Sequence, residues 1–437
     1  MGVKMLKKLI TNSTRYGKIK FLTLMGVIFL TNFGYFGGIF VLPTVMVTGG
    51  AMLPDGTVMI CENRLSNLPN VSFTHNMDDI VFVNYSTGLV TKRIGLPQVQ
   101  LDEPHMGVYR PDGSLIVANC KDSSIIEIGV SGLVIWRYYL GDLNWTMLNS
   151  TFGKDCIVNH PETLEWTHLN NVDFRTDNGT VYMLVTPRNF DMLFEVNFTA
   201  ARQRAKADVR DITWYFGFPG NNQLLYHPHN AHYLTNSSIL TSDSMNNRVV
   251  EINYTTKQIT WTSPASLGLL WPRDGEVDQF DPSRMLITDA FNHRVIEINR
   301  TTGTILRQVT GSLVQPYQAR YVTKDTVFVT DDSAEVSVID LNTGTTVWRY
   351  ESQYSVAWMA RFACGCSLAM VCVLASFKVY ERRKGKIKPG TMVRWFWIPL
   401  VTDIVLATIF VIWFVSPLPL MRLVMGIAYN FLKGRYL

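Results

Sequence analysis

The sequence predicts an all-β six-bladed propeller ectodomain with α-helical transmembrane segments, one N-terminal and two C-terminal. Three observations predict it. One segment repeats at a fixed offset, β-prone runs recur in units of four with turns between them, and charge divides sharply between the ends and the middle. The chain has 437 residues, 47% hydrophobic and 17% charged. That is too apolar for a disordered chain and too charged for a protein that is membrane throughout.

From the N-terminus, residues 1–20 carry six basic side chains and no acid, and read as a cytoplasmic segment. Phe21–Val47 holds no charged residue. As a helix it would reach roughly 40 Å, enough to span a bilayer core, and we assign transmembrane helix 1 to 21–47. A cleaved signal peptide would have a shorter apolar run and a clear small-residue cleavage site. Beyond the propeller, residues 362–380 and 395–415 form helices 2 and 3. The loop 381–394 between them includes the basic run Arg382–Lys388. The positive-inside rule places this loop and the N-terminus in the cytoplasm. The middle then lies on the extracellular side of a multi-pass cell-membrane protein. Residues 416–437, apolar with Arg422, Lys433 and Arg435 interspersed, read as an interfacial amphipathic helix in contact with lipid. Asp403 inside helix 3 reads as a helix-packing carboxyl, and helices 2 and 3 offer a surface to a membrane-protein partner.

Residues 361–437 carry eleven basic residues against two acids, so the two ends together hold +15. Against a whole-chain net of +5, residues 46–360 are therefore −10, which argues against nucleic acid as a partner. Sequons at Asn70, Asn84, Asn144, Asn149, Asn178, Asn197, Asn236, Asn253 and Asn299 agree with an outside domain, and each is a candidate glycan acceptor. With Cys61, Cys120 and Cys156 alone in that region, it is not a disulfide scaffold.

The propeller assignment, residues 48–355, rests on repetition. Thr241–Asn253 and Ile287–Asn299 match at an offset of 46 residues, with Asp, Asn, Arg, Val, Glu, Ile and Asn recurring in place. Looser copies end in Ile125–Ile128, Leu193–Asn197 and Val336–Asp340, and turns such as Pro54-Asp55-Gly56 and Asn342-Thr343-Gly344 separate the strands. Four-strand units of this length build a propeller. Six units begin near Gly49, Pro104, Trp166, His227, Trp271 and Pro316, with blade 1 closing against blade 6.

First strands line a propeller's axis, so their polar residues converge. His105 and His229 fall at matching places, each four residues before a tyrosine, and His168, in Trp166-Thr167-His168-Leu169-Asn170, is expected at the corresponding place of blade 3 in equal register. A single such histidine is usually structural, whereas three of eight in the chain point to a site.

Pro104-His105 with its following Pro-Asp-Gly turn, Trp166-Thr167-His168-Leu169-Asn170, Thr186-Pro187-Arg188-Asn189, His229-Asn230-Ala231-His232 and Trp271-Pro272-Arg273-Asp274 together resemble the arylsulfotransferases, in particular archaeal members. These are six-bladed propeller enzymes that move a sulfuryl group between phenols without a nucleotide donor. The resemblance covers about residues 49–350. It implies that His229 is transiently sulfated, that His105, His168 and Arg188 complete the catalytic set, and that Asn170 and Arg273 contact substrate. It implies an aryl sulfate donor, a phenolic acceptor and no cofactor. Soluble members carry an N-terminal β-domain for which no segment here stands in. The residue types suit the chemistry. A neutral imidazole held in one tautomer is a nucleophile, a guanidinium fork matches a tetrahedral oxyanion, and a second imidazole can move the phenol proton. No metal is assigned. Two alternatives stay open, namely a non-catalytic extracellular interaction platform and a propeller whose histidines bind a metal.

Overall fold

The computed structural model describes residues 44–65, 78–152, 166–219, 221–333 and 335–352. The three assigned spans (the first up to residue 43), the basic loop, the tail, Asp403, Asn70 and Cys156 lie outside the described residues. Among the described residues no helix is long and apolar enough to cross a membrane. One boundary needs correction. Thr44–Val47, assigned to transmembrane helix 1, belongs to the strand Thr44–Met52, because its β-branched residues pair into a sheet.

Six antiparallel sheets of four strands follow one another along the chain, each in simple sequential order. Blade 1 runs from Thr44 to Ile94, blade 2 from Pro104 to Tyr139 and blade 3 from Leu169 to Gly217. Blade 4 runs from Pro228 to Thr262, blade 5 from Pro272 to Thr310 and blade 6 from Pro316 to Glu351. First strands of blades 2 to 6 pack successively on one another around the axis. The described residues thus form an all-β six-bladed propeller.

The conserved spacing within the repeat has a physical cause. Asp243 accepts the Tyr226 N–H at 2.6 Å, Arg248 Nε at 2.7 Å and Asn246 Nδ2 at 2.9 Å. Asp289 does the same for Leu270 N–H, Arg294 and Asn292. Each Asp therefore pins a 3-10 turn to the segment leading into its own blade. The repeat's Glu ties one blade to the next: Glu251 pairs with Arg300 at 2.6 Å, and buried Glu195 accepts Arg175 Nε at 2.8 Å and Tyr233 OH at 2.7 Å. A buried carboxylate persists only when paired in this way.

An apolar cluster fills each blade-to-blade interface. The ring closes without strand exchange. Val47, Val58 and Ile60 pack against Phe328, Val336 and Val338. Gln318 Oε1 accepts the Gly50 N–H at 3.0 Å, and Tyr350 OH donates to Glu62 at 2.7 Å. Gly49 has no room for a side chain, since a Cβ would lie 2.4 Å from the His105 carbonyl oxygen. Cys61 and Cys120 are buried and take part in no disulfide. The eight described sequons lie at turns or strand ends, with Asn144, Asn178 and Asn236 exposed and the others half-buried.

Candidate active site at the channel mouth

Strand pairing sets a common register in five blades. Pro104 faces Asn119, Leu169 faces Pro187, Pro228 faces Asp243, Pro272 faces Asp289 and Pro316 faces Asp331. One residue further on stand His105, Asn170, His229, Arg273 and Tyr317, one from each blade. At His105, Arg273 and Tyr317 the ladder skips a residue, a bulge that frees the side chain from the regular pleat. One residue before the reference position stand Glu103, His168, His227 and Trp271, all at positive φ between 43° and 57°. That conformation is costly for a non-glycine residue and persists only where its surroundings impose it. The constraint is visible in three of them. Glu103 N–H is taken by Asp78, His227 N–H by Asp191 and Trp271 N–H by Asn247, each from the preceding blade.

His168 is therefore not in register with His105 and His229. Asn170 occupies their position in blade 3, and His168 sits two residues earlier, at the place held by Glu103, His227 and Trp271 in blades 2, 4 and 5. His168 nonetheless reaches the same place. Its ring meets His105 edge-on at 4.9 Å between centroids. Arg188 is half-buried in the turn after Thr180–Pro187, its N–H donating to the His168 carbonyl at 3.1 Å. Its charge disfavours protonation of His105, His168, His227 and His229. Arg273 lies over the Tyr317 ring at 4.2 Å and pairs with Asp332 at 3.1 Å. Tyr317 stacks edge-on against His105 at 5.7 Å and His229 at 6.4 Å.

The tautomers can be read from the acceptors. His229 Nδ1 lies 3.0 Å from the His227 carbonyl oxygen, which can only accept, so Nδ1 carries the proton. Ser244 Oγ lies 2.8 Å from the same nitrogen while its own hydroxyl donates to the Pro272 carbonyl at 2.5 Å. The lone pair of His229 is thereby left on Nε2. His105 Nδ1 faces the Glu103 carbonyl at 3.2 Å, leaving the same tautomer. Burial, reinforced by Arg188 and Arg273, pushes His105 down to about 3, and drives His168 and His229 well below the ordinary imidazole value. All three are neutral at physiological pH. Burial also raises Asp332 to about 7 despite Arg273, and Asp191 to about 7 despite the His227 N–H.

Sequence reasoning missed Tyr317, Ser244, Asp332 and Cys120. Tyr317 had a signal, since Pro316-Tyr317 is the sixth blade's copy of Pro104-His105. The others follow the second strands, just past the reference pairs, where Cys120, Arg188, Ser244 and Asp332 share one place. His105, His168 and Cys120 also bring ligand atoms within 4.8 Å of one another.

No family model matches the chain. No curated protein matches it either. Among solved structures, a streptogramin B lyase is similar at TM-score 0.44 and 13% identity, covering 72% of this chain and 86% of that one. A virginiamycin B lyase from Staphylococcus aureus is similar at TM-score 0.43 and 13% identity, over 70% and 85% of the two chains.

Proposed function

We propose that this protein is an arylsulfotransferase-like enzyme, moving a sulfuryl group from an aryl sulfate to a phenol through a sulfohistidine at His229. The observation that carries the reading is the fixed tautomer of His229. A buried, neutral imidazole with Nδ1–H held by the His227 carbonyl and Ser244 keeps its lone pair on Nε2, beside two guanidinium groups that act on it.

In the first half-reaction, Nε2 forms a bond to sulfur as the aryl S–O bond breaks. The aryl oxygen leaves as phenolate and is protonated by solvent on release. Negative charge on the sulfuryl oxygens falls to Arg188 and Arg273, whose planar forks suit oxyanions. Nδ1 keeps its proton, so the intermediate is an N-sulfonated imidazolium, a competent leaving group. In the second half-reaction, His105 Nε2 accepts the incoming phenol's proton as its oxygen bonds to sulfur. The N–S pair returns to His229. With Nδ1–H held by the Glu103 carbonyl, neutral His105 has no proton on Nε2 to donate, and acceptance is the role open to it.

The partition of basic residues into the ends supports a propeller on the extracellular face, anchored by the three spans. Proteolysis of intact cells should then cut propeller epitopes and spare one at Lys384; the reverse pattern would invert the topology. For the activity, purified protein should release phenol from a chromogenic aryl sulfate only when a second phenol is supplied, with ping-pong kinetics. No acceptor-dependent release from any of a panel of aryl sulfates would refute it.

A further inference from the structure

We propose that His105, His168 and Cys120 form a three-ligand Zn²⁺ site beside the propeller axis, with the fourth position open to solvent or ligand. The site goes beyond the transfer reading and does not depend on it.

One nitrogen of each imidazole and Cys120 Sγ all lie within 4.8 Å of one another, and all three residues are buried. Tetrahedral zinc places such ligand atoms about 3.5 Å apart, so closing the trio needs rotation of side chains and no rebuilding of strands. The ligands are pre-oriented by one backbone group. The Glu103 carbonyl accepts His105 Nδ1–H at 3.2 Å and the Cys120 N–H at 3.1 Å. Holding Nδ1–H on a carbonyl aims Nε2 as the donor, the outer-shell arrangement usual for zinc-bound histidine. Glu103 Oε1 stands 3.9 Å from that Nε2 and adds negative charge beside the trio.

Charge bears on the choice of ion. Arg188, Arg273 and Lys121 all act on His105 and oppose a bare cation. A thiolate and the Glu103 carboxylate supply two negative charges against them, and Lys121 already pairs with Glu103 at 2.8 Å. Mixed imidazole and thiolate donors select zinc over magnesium or calcium, which take oxygen ligands. An ion here takes the Nε2 lone pair that proton acceptance at His105 uses, so the zinc-loaded form and the transfer-competent form are alternative states of the site.

The test uses the full-length protein, purified with chelator and titrated with Zn²⁺ alone. We expect one equivalent bound with a Kd in the micromolar range or tighter, and at least tenfold weaker binding in Cys120→Ser. Co²⁺ added to the unmodified protein should give a near-ultraviolet thiolate charge-transfer band together with tetrahedral d–d bands, which tests the site without any variant. Absence of zinc binding, undiminished affinity in folded Cys120→Ser, or Co²⁺ bound without the thiolate band would each overturn the proposal. None of these readouts uses sulfuryl transfer, so failure here leaves that reading standing.

Discussion

The Tyr317 hydroxyl donates to Asn170 Oδ1 at 3.2 Å, joining the same register position of blades 6 and 3 across the propeller axis. Asn170 Nδ2 in turn donates to the Pro228 carbonyl at 3.2 Å, one residue before His229. The channel is thus closed at this level by side chains, and the site is a floor rather than a pore. Both residues are almost wholly buried, and burial holds the Tyr317 phenol protonated far above its ordinary range. Tyr317→Phe leaves the Asn170 carbonyl oxygen without this partner. It should cost about 1–3 kcal/mol, read as a lower urea midpoint at unchanged slope. An unchanged midpoint would show that the bond contributes nothing net.

Ser244 should affect transfer through His229. Ser244→Ala removes one of two acceptors for Nδ1–H and leaves the Pro272 carbonyl without that donor. We expect kcat for transfer to fall about tenfold, or about 1.4 kcal/mol, with KM for the donor little changed and recovery in Ser244→Thr. A matched loss of Tm with no kcat effect in the folded protein would mark Ser244 as purely structural.

How much of this the sequence made legible depends on which residues carry the signal. The blades were readable because Asp243, Arg248 and Glu251 recur as Asp289, Arg294 and Glu297, and each makes an obligatory ion pair or turn contact. The three histidines were readable as scarce polar residues at blade starts, whereas Arg188 and Arg273 were reached only through the resemblance to the arylsulfotransferases. Tyr317 was missed although Pro316-Tyr317 repeats Pro104-His105, because an aromatic next to proline in a strand reads as core. Ser244 and Cys120 were missed because they reach the site from the ends of second strands, and convergence across blades leaves no trace in spacing. The His168 register failed for a local reason: in blade 3 Asn170, two residues further on, holds the matching position.

The pH dependence follows from burial. An isolated imidazole protonates near 6.5, and a nucleophile with that value would lose activity as pH fell through it. Burial lowers His229 well below this value and His105 to about 3, so the neutral, reactive forms persist as pH falls. The acid limb of kcat/KM should therefore lie below pH 5. For stability the sign is the same. Because the folded-state value is depressed, these histidines contribute fully above about 6.5, and that contribution is lost as pH falls toward 3. An acid limb centred near 6.5 would show that the essential imidazole is solvated.

Arg273 holds its place through Asp332 and the face of Tyr317. Arg273→Lys keeps the charge and loses both the fork and the stacking. Transfer should drop by about 10²-fold, of the order seen when one oxyanion donor is removed. Activity within about twofold of the parent would remove Arg273 from the oxyanion-binding set.

The central claim is that His229 Nε2 becomes covalently sulfated. It is tested most directly by mixing the protein with an aryl sulfate without acceptor, quenching within milliseconds to seconds under alkaline conditions, and locating the adduct by peptide mass spectrometry. The account predicts one sulfuryl group on His229, discharged when a phenol is added and absent from a folded His229→Ala protein that no longer transfers. An adduct on His105 or His168, or full transfer by His229→Ala, would contradict it.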